Sequence, residues 1–310
     1  MPRLIALVGA TASGKTELAL RLAQHFQTEI ISADSRQFFR ELTIGVAIPN
    51  DEQLSAIPHR FIKSRSITEP YSAGRYADDV LTFLDDFFRK RPMALLVGGS
   101  GLYVKAVCEG FDDVPPTDPD VRANLNEQLK QLGLAALLKE LEAVDPAYYS
   151  EVDRSNPRRV LRALEVHRIT GRPFSSFRKQ SPTPRPFDVM KIGSLLPTHE
   201  LKERIHERVD RMIEQGLIEE ARAMLPYRSL PALQTVGYRE LFAYFDGNIT
   251  FDAAIELIKK NTTQFAKRQM TWWRKDKTIR WFHPSQLHDM MAWIESWPGS
   301  STKPAHEHSR

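Results

Sequence analysis

The residues Gly9-Ala10-Thr11-Ala12-Ser13-Gly14-Lys15-Thr16 follow the pattern G-x-x-x-x-G-K-T. Glycines at its ends let the backbone curl until successive N–H groups point inward and form an anion nest. Lys15 is long enough to reach an outer phosphate, and the Thr16 hydroxyl suits Mg²⁺. The pattern therefore predicts a di- or triphosphate site at Gly9, Thr11, Ala12, Ser13, Gly14, Lys15 and Thr16, of the kind found in nucleotide- and ATP-binding proteins. A second candidate, Asp34, follows the apolar run Ile30-Ile31-Ser32-Ala33. A carboxylate there can act as a general base, hold Mg²⁺ through water, or cap the next element. The third is Gly98-Gly99-Ser100-Gly101, after the run Met93–Val97. A nucleotide-hydrolysing protein usually carries an acid there to hold Mg²⁺ or activate water. Glycines in its place speak against an ATPase or GTPase.

Such groups meet only if the fold brings strand ends together. Leu4–Val8 reads as a short buried strand, followed by a helix from Glu17 to about Phe26 with Leu18, Leu22 and Ala23 on one face. Residues 29–35 and 93–97 read as further strands, and in an open α/β sheet strand C-termini face one ligand crevice. Residues 41–72 carry Pro49, Pro58 and Pro70 and receive no assignment beyond loop. A helix is expected over about 73–89. From Pro115-Pro116-Thr117-Asp118-Pro119 the composition changes, and residues 119–180 read as wholly helical. Residues 189–196 read as a strand rejoining the sheet. Helices follow from Thr198, from Thr235 and over Thr250–Arg274, and Thr278–Phe282 is a last strand. The expected fold class is α/β, a P-loop NTPase-like core with a mainly parallel sheet flanked by helices, plus an all-helical insertion. Its boundaries are 1–115 and 187–297 for the core, 116–186 for the insertion, and 298–310 for a disordered tail.

The chain of 310 residues is long enough to bury a sizeable core at 42% apolar content. Lysine and arginine number 43 against 39 acids, so what matters is where the small excess lies. Between residues 154 and 185 nine basic residues face one acid, Glu165. Arg158 and Arg162 share a helix face with Arg159 beside them. That face is either a phosphate-contacting surface for RNA or a solvated surface with Arg162 paired to Glu165. Arg204 and Arg208, on the helix from Thr198, either reach a phosphate or bridge to Glu200, Glu203 and Glu207. Trp272-Trp273 among Lys267, Arg268, Arg274 and Lys275 suggests base stacking, with core packing the alternative. One cysteine, Cys108, excludes an internal disulfide and suits a reducing cytosol. No run approaches the ~20 apolar residues of a membrane span, so a soluble cytoplasmic protein without membrane contact is expected.

Six motifs occur in order: G-x-T-A-S-G-K-T, I-I-S-A-D-S-R-Q, V-G-G-S-G-L-Y, N-P-R-R-V-x-R-A-L-E-V, V-G-Y-R-E and A-K-R-Q-x-T-W-x-R. Together they resemble bacterial tRNA dimethylallyltransferases, also called tRNA isopentenyltransferases, over about residues 3–282. The resemblance implies transfer of a dimethylallyl group from dimethylallyl diphosphate to the exocyclic amine of the adenosine 3′ of the anticodon, with Mg²⁺ assisting. The chain departs from the family at Gly9-Ala10-Thr11, where Gly-Pro-Thr is usual. It departs again at Gly45-Val46-Ala47-Ile48-Pro49, where many members have Gly-Thr-Ala-Lys-Pro, and no role is carried over there.

With that resemblance, Asp34 is the expected base, and Lys15, Thr16 and Arg204 complete the catalytic set, with Arg208 on the diphosphate. Contacts to the tRNA anticodon stem-loop are expected from Asp34, Ser35, Arg36, Gln37, Ser100, Arg122, Arg158, Arg159, Arg162, Gly237, Tyr238 and Arg239, and a monomer is expected. The alternative enzyme is a P-loop small-molecule kinase with the helical insertion as its lid. It predicts ATP consumption.

Overall fold

In the computed structural model, residues 1–112, 114–178 and 182–297 are described. The tail expected from residue 298 lies outside them. The chain divides into two compact units, Met1–Cys108 with Arg185–Arg310, and Glu109–Pro184 between them. The first boundary precedes Pro115, where the composition changes.

β1 (Arg3–Gly9) is buried from Leu4 to Gly9, without the polar alternation of a half-exposed strand. α1 (Lys15–His25) follows, packing Leu18, Ala19, Leu22 and Ala23 inward. Next come β2 (Ile30–Ser32), α2 (Asp51–Ala56), β3 (His59–Arg60) and α3 (Ala73–Phe87). β4 (Met93–Gly98) leads into α4 (Gly101–Glu109). Among the described residues there is one six-stranded sheet, completed by β5 (Asp188–Ser194) and β6 (Arg280–Phe282), in the order β3-β2-β4-β1-β5-β6. Every pairing is parallel. β1 lies between β4 and β5, with Val8 opposite Gly98 and Gly193. The turns after β1, β2, β4 and β5 therefore open at one edge of the sheet. α2 and β3 fall within residues 41–72, where the sequence predicts only loop. Asn50 and Gln53 form a reciprocal capping box there, which starts α2.

α5 (Pro119–Val144), α6 (Pro146–Glu151) and α7 (Pro157–Thr170) build the Glu109–Pro184 unit. Leu125, Leu137 and Leu141 pack with Val160, Leu161 and Leu164. The proline after each of Asp118, Asp145 and Asn156 starts a helix where its missing N–H costs nothing. Gly133, in the left-handed region, breaks α5.

After β5 come α8 (Thr198–Glu214), α9 (Leu217–Ala223), α10 (Tyr238–Phe245) and α11 (Phe251–Trp273), and α12 (Leu287–Glu295) follows β6. Among the described residues no helix is long and apolar enough to cross a membrane.

Candidate active site

The turn after β1 is shaped for an anion. Gly14 has φ 86°, a left-handed conformation that an L side chain would strain. The amides of Lys15 and Thr16 open α1, where first-turn N–H groups have no intrahelical acceptor and the helix dipole is positive. Not every amide of the loop is available. Ser13 donates its N–H to Ala10 O at 3.3 Å, and Thr11 donates to Gln269 Oε1 at 2.8 Å. The anion nest expected at Gly9 and Thr11–Thr16 is therefore narrowed at the amides of Thr11 and Ser13. Thr11 offers its hydroxyl instead, which stands 3.4 Å from Arg208 Nη1.

Lys15 Nζ donates to the Ala10 carbonyl and lies 3.4 Å from Ser13 Oγ. Burial and the charge of Arg208 push its ammonium down to about 7, against the opposing pull of Asp34. Arg208 is held below the usual guanidinium range by burial, with Asp34 again opposing. Three charges thus meet here, two cations and one carboxylate. The excess cation in a desolvated pocket favours a polyanion. Arg204 is exposed, with Nη1 within 3.5 Å of where a Gly14 Cβ would stand. Neither Arg204 nor Arg208 forms an ion pair with Glu200, Glu203 or Glu207 among the described contacts.

Asp34 stands two residues beyond β2, and Ala33 N–H still reaches Val97 O at 2.7 Å. Its Oδ1 accepts from Arg36 N–H at 2.9 Å, so one oxygen serves the capping role foreseen for it. Ser100 Oγ accepts from Ser35 N–H at 3.0 Å and donates to Ser35 Oγ, 3.2 Å away. A Cβ on Gly98 would fall on the Ala33 carbonyl. A side chain at Gly98, acidic or not, would have to displace the Ala33 backbone.

Several residues expected at an RNA surface have other work. Tyr238 is fully buried and its hydroxyl donates to Glu220 Oε1 at 2.6 Å. Gly237 N–H goes to Glu240 Oε2 at 2.8 Å, leaving Arg239 as the exposed member of that trio. Gln37 accepts from Ser32 Oγ and donates to the carbonyls of Val46 and Ala47, so its amide N–H groups are taken up inside the protein. Arg122 and Arg162 both bind the fully buried Glu165, at 3.3 and 2.8 Å, and Arg162 also reaches Pro115 O. Their guanidinium groups neutralise a carboxylate inside the unit. Arg158 and Arg159 remain exposed on α7. Trp273 is buried, whereas Trp272 is exposed. The departure at Val46 is absorbed, because its side chain packs with Ile44 against the apolar cluster of Leu42, Leu217 and Tyr238.

Two residues to which the sequence assigns no role hold the site's loops. Glu220 accepts from the amides of Thr43, Ile44 and Gly45 and so holds the loop that carries Val46 and Ala47. Gln269 bridges the loop after β1 and the turn after β4. Glu220 acts across at least 175 residues of chain with no local pattern to mark it, whereas Gln269 is the glutamine of the motif A-K-R-Q-x-T-W-x-R, whose partners at 170 and 258 residues' distance the motif does not state.

The family model described as IPP transferase matches residues 37–276. The tRNA dimethylallyltransferase of Christiangramia forsetii is 50% identical over 279 residues, covering 90% of this chain and 92% of that protein. tRNA dimethylallyltransferase 1 of Bacteroides fragilis is 45% identical over 293 residues, covering 94% and 97%. The crystal structure of the full-length tRNA isopentenylpyrophosphate transferase of Bacillus halodurans superposes with a TM-score of 0.70 at 33% identity, covering 95% of this chain and 96% of that one.

Proposed function

Because the chain belongs to the IPP transferase family, we propose that it transfers a dimethylallyl group from dimethylallyl diphosphate to tRNA. The acceptor is the exocyclic amine of the adenosine 3′ of the anticodon, and pyrophosphate is released. The observation that carries this reading is the pairing of an anion cradle with a single carboxylate, Asp34, while the β4 end has no room for a side chain at Gly98. A prenyl diphosphate needs the cradle of a nucleotide site but no acid to activate water.

The nitrogen lone pair attacks C1 of the allyl group as the C1–O bond breaks, and the bonding pair leaves with the diphosphate. Lys15, Arg208, Arg204 and the amides opening α1 hold the charge that develops on it. The adenine amine is a weak nucleophile, because its lone pair is delocalised into the ring. Asp34 accepts a hydrogen bond from it and then its proton. Extrusion of the adenine from its stack costs about a few kcal/mol. Contacts to the RNA backbone from Arg158, Arg159 and Arg239 offset that cost, together with stacking on Trp272.

Magnesium fits the site as a substrate-held ion. Among the described residues no group of three or more His, Cys, Asp or Glu side chains could cage a metal. The exposed Thr16 side chain at the head of α1 is a suitable single protein ligand beside phosphate oxygens. When bound, Mg²⁺ would neutralise charge on the departing diphosphate. The protein is read as a monomer working in the cytoplasm.

Incubation with total tRNA and labelled dimethylallyl diphosphate, followed by nucleoside analysis, tests the proposal. Label in one modified adenosine is expected. Label absent from tRNA, with ATP consumed instead, would turn the reading to a kinase.

A further inference from the structure

The two halves of the site belong to different strand ends, and one buried side chain on α11 joins them. Gln269 Oε1 accepts the Thr11 N–H at 2.8 Å, and its Nε2 donates to Gly99 O at 3.0 Å. The amide orientation follows from chemistry, since a backbone N–H only donates and a carbonyl only accepts. A Cβ on Gly99 would collide with Nε2. Gly101 likewise makes room for Trp272, three residues further along the same helix. The glycines of Gly98-Gly99-Ser100-Gly101 thus admit Ala33, Gln269 and Trp272 in turn. Between them, Ser100 holds the Ser35 amide, next to Asp34. A continuous path therefore runs from the diphosphate loop through Gln269, Gly99 and Ser100 to the turn that carries the base.

We infer that Gln269 is a positioning residue, whose amide fixes the separation between the diphosphate cradle and the Asp34 carboxylate. This rests on the prenyl-transfer reading above. A link of this kind acts on turnover more than on binding, because each half keeps its own ligands when the bridge is cut. A misplacement of about 1 Å costs about 10²-fold in rate.

Gln269→Glu tests it. An ionised carboxylate accepts from Thr11 but turns a lone pair on the Gly99 carbonyl, whereas the protonated acid reproduces both bonds. Lys15 at the head of α1, Arg204 and Arg208 on α8, Asp34 after β2, and Lys267 and Arg268 beside Gln269 supply the nearby charges. Wild type carries all of them, so the variant-to-wild-type ratio at each pH removes their titration. The expected result is a kcat about 10²-fold low at pH 8 that recovers towards wild type as pH falls, with little change in KM for dimethylallyl diphosphate. Gln269→Met should show the same loss without recovery. A ratio constant with pH, or a loss confined to KM, would overturn the inference.

If Gln269→Glu does not fold, Gly99→Ala and Gln269→Ala decide the matter. Both cut one link, so the double variant should be no slower than the worse single, and additive losses would contradict the link. Wild type is assayed alongside. Failure of wild type to transfer the prenyl group would remove the functional reading itself, whereas a normal wild type with an indifferent Gln269 would remove only this inference.

Discussion

Two side chains dominate the chemistry at the scale of single residues. Among the described residues, Asp34 is the carboxylate whose charge acts on both Lys15 and Arg208. Replacing it with alanine removes the proposed proton acceptor and leaves the exposed Arg158, Arg159 and Arg239 intact. The expected result is a fall in kcat of about 10²–10⁴ with tRNA affinity unchanged, read from steady-state kinetics beside filter binding. Near-normal turnover would exclude Asp34 as the base. Lys15 makes a prediction in pH. Its ammonium is lowered to about 7, and the negative charge of a bound diphosphate would raise it again. Above pH 7 binding must therefore take up a proton, so affinity for the diphosphate should fall by up to about tenfold per pH unit until the lysine's bound-state pKa is reached. Below pH 7 the lysine is already charged and contributes no further slope. Calorimetry at pH 8 in two buffers of different ionisation heat measures the uptake. Equal heats would contradict a neutral lysine.

At the scale of elements, loops are held by single distant side chains. Glu220, near the middle of α9, accepts three consecutive amides at 2.8–2.9 Å and the Tyr238 hydroxyl at 2.6 Å. A Cβ on Gly45 would meet that hydroxyl at 2.6 Å, so glycine is required where the loop passes under the ring. Glu220→Ala strands all four donors and should destabilise the fold by about 3 kcal/mol, seen as a lower urea midpoint at unchanged m. An unchanged midpoint would mean that water replaces the carboxylate. Legibility followed the same division. The strand, turn and helix around Gly9–Thr16 are local, contiguous and periodic, and the structure has them where spacing puts them. Asp34 was found because strand ends in such sheets converge. Tyr238, Gln37 and Arg162 lie beside or within recognisable motifs, yet their polar groups are consumed by partners remote in sequence or, for Arg162, by Glu165 one turn away. Arg162 with Glu165 could be weighed from spacing alone but not decided. Glu220 has no local trace, and Gln269 sits in the motif A-K-R-Q-x-T-W-x-R without a partner named by it, because nothing near either in the chain states what it binds.

At the scale of the whole molecule, charge divides less evenly than the sequence suggests. Arg168 is spent on Glu140, Asn124 and Gln128, Arg178 on Glu151, and Arg185 on the carbonyls of Ala106 and Val107. The basic run from 154 to 185 is thus partly internal wiring. Arg158 and Arg159 are the exposed arginines of α7 and the better candidates for RNA phosphates. Replacing both with alanine should raise the tRNA KM and lower the salt slope of binding by about 1 per lost phosphate contact, with kcat unaffected. No change in either quantity would return this surface to a scaffold role.

The central claim is that the loop after β1 holds a departing diphosphate while Asp34 faces the nitrogen that replaces it. It is tested most directly by a crystal structure with a non-hydrolysable dimethylallyl diphosphate analogue and an anticodon stem-loop. The account predicts the diphosphate on the amides opening α1, touched by Lys15 and Arg208, and an extruded adenine with its exocyclic amine within hydrogen-bond distance of Asp34. A diphosphate bound elsewhere, or an adenine amine out of reach of that carboxylate, would contradict it.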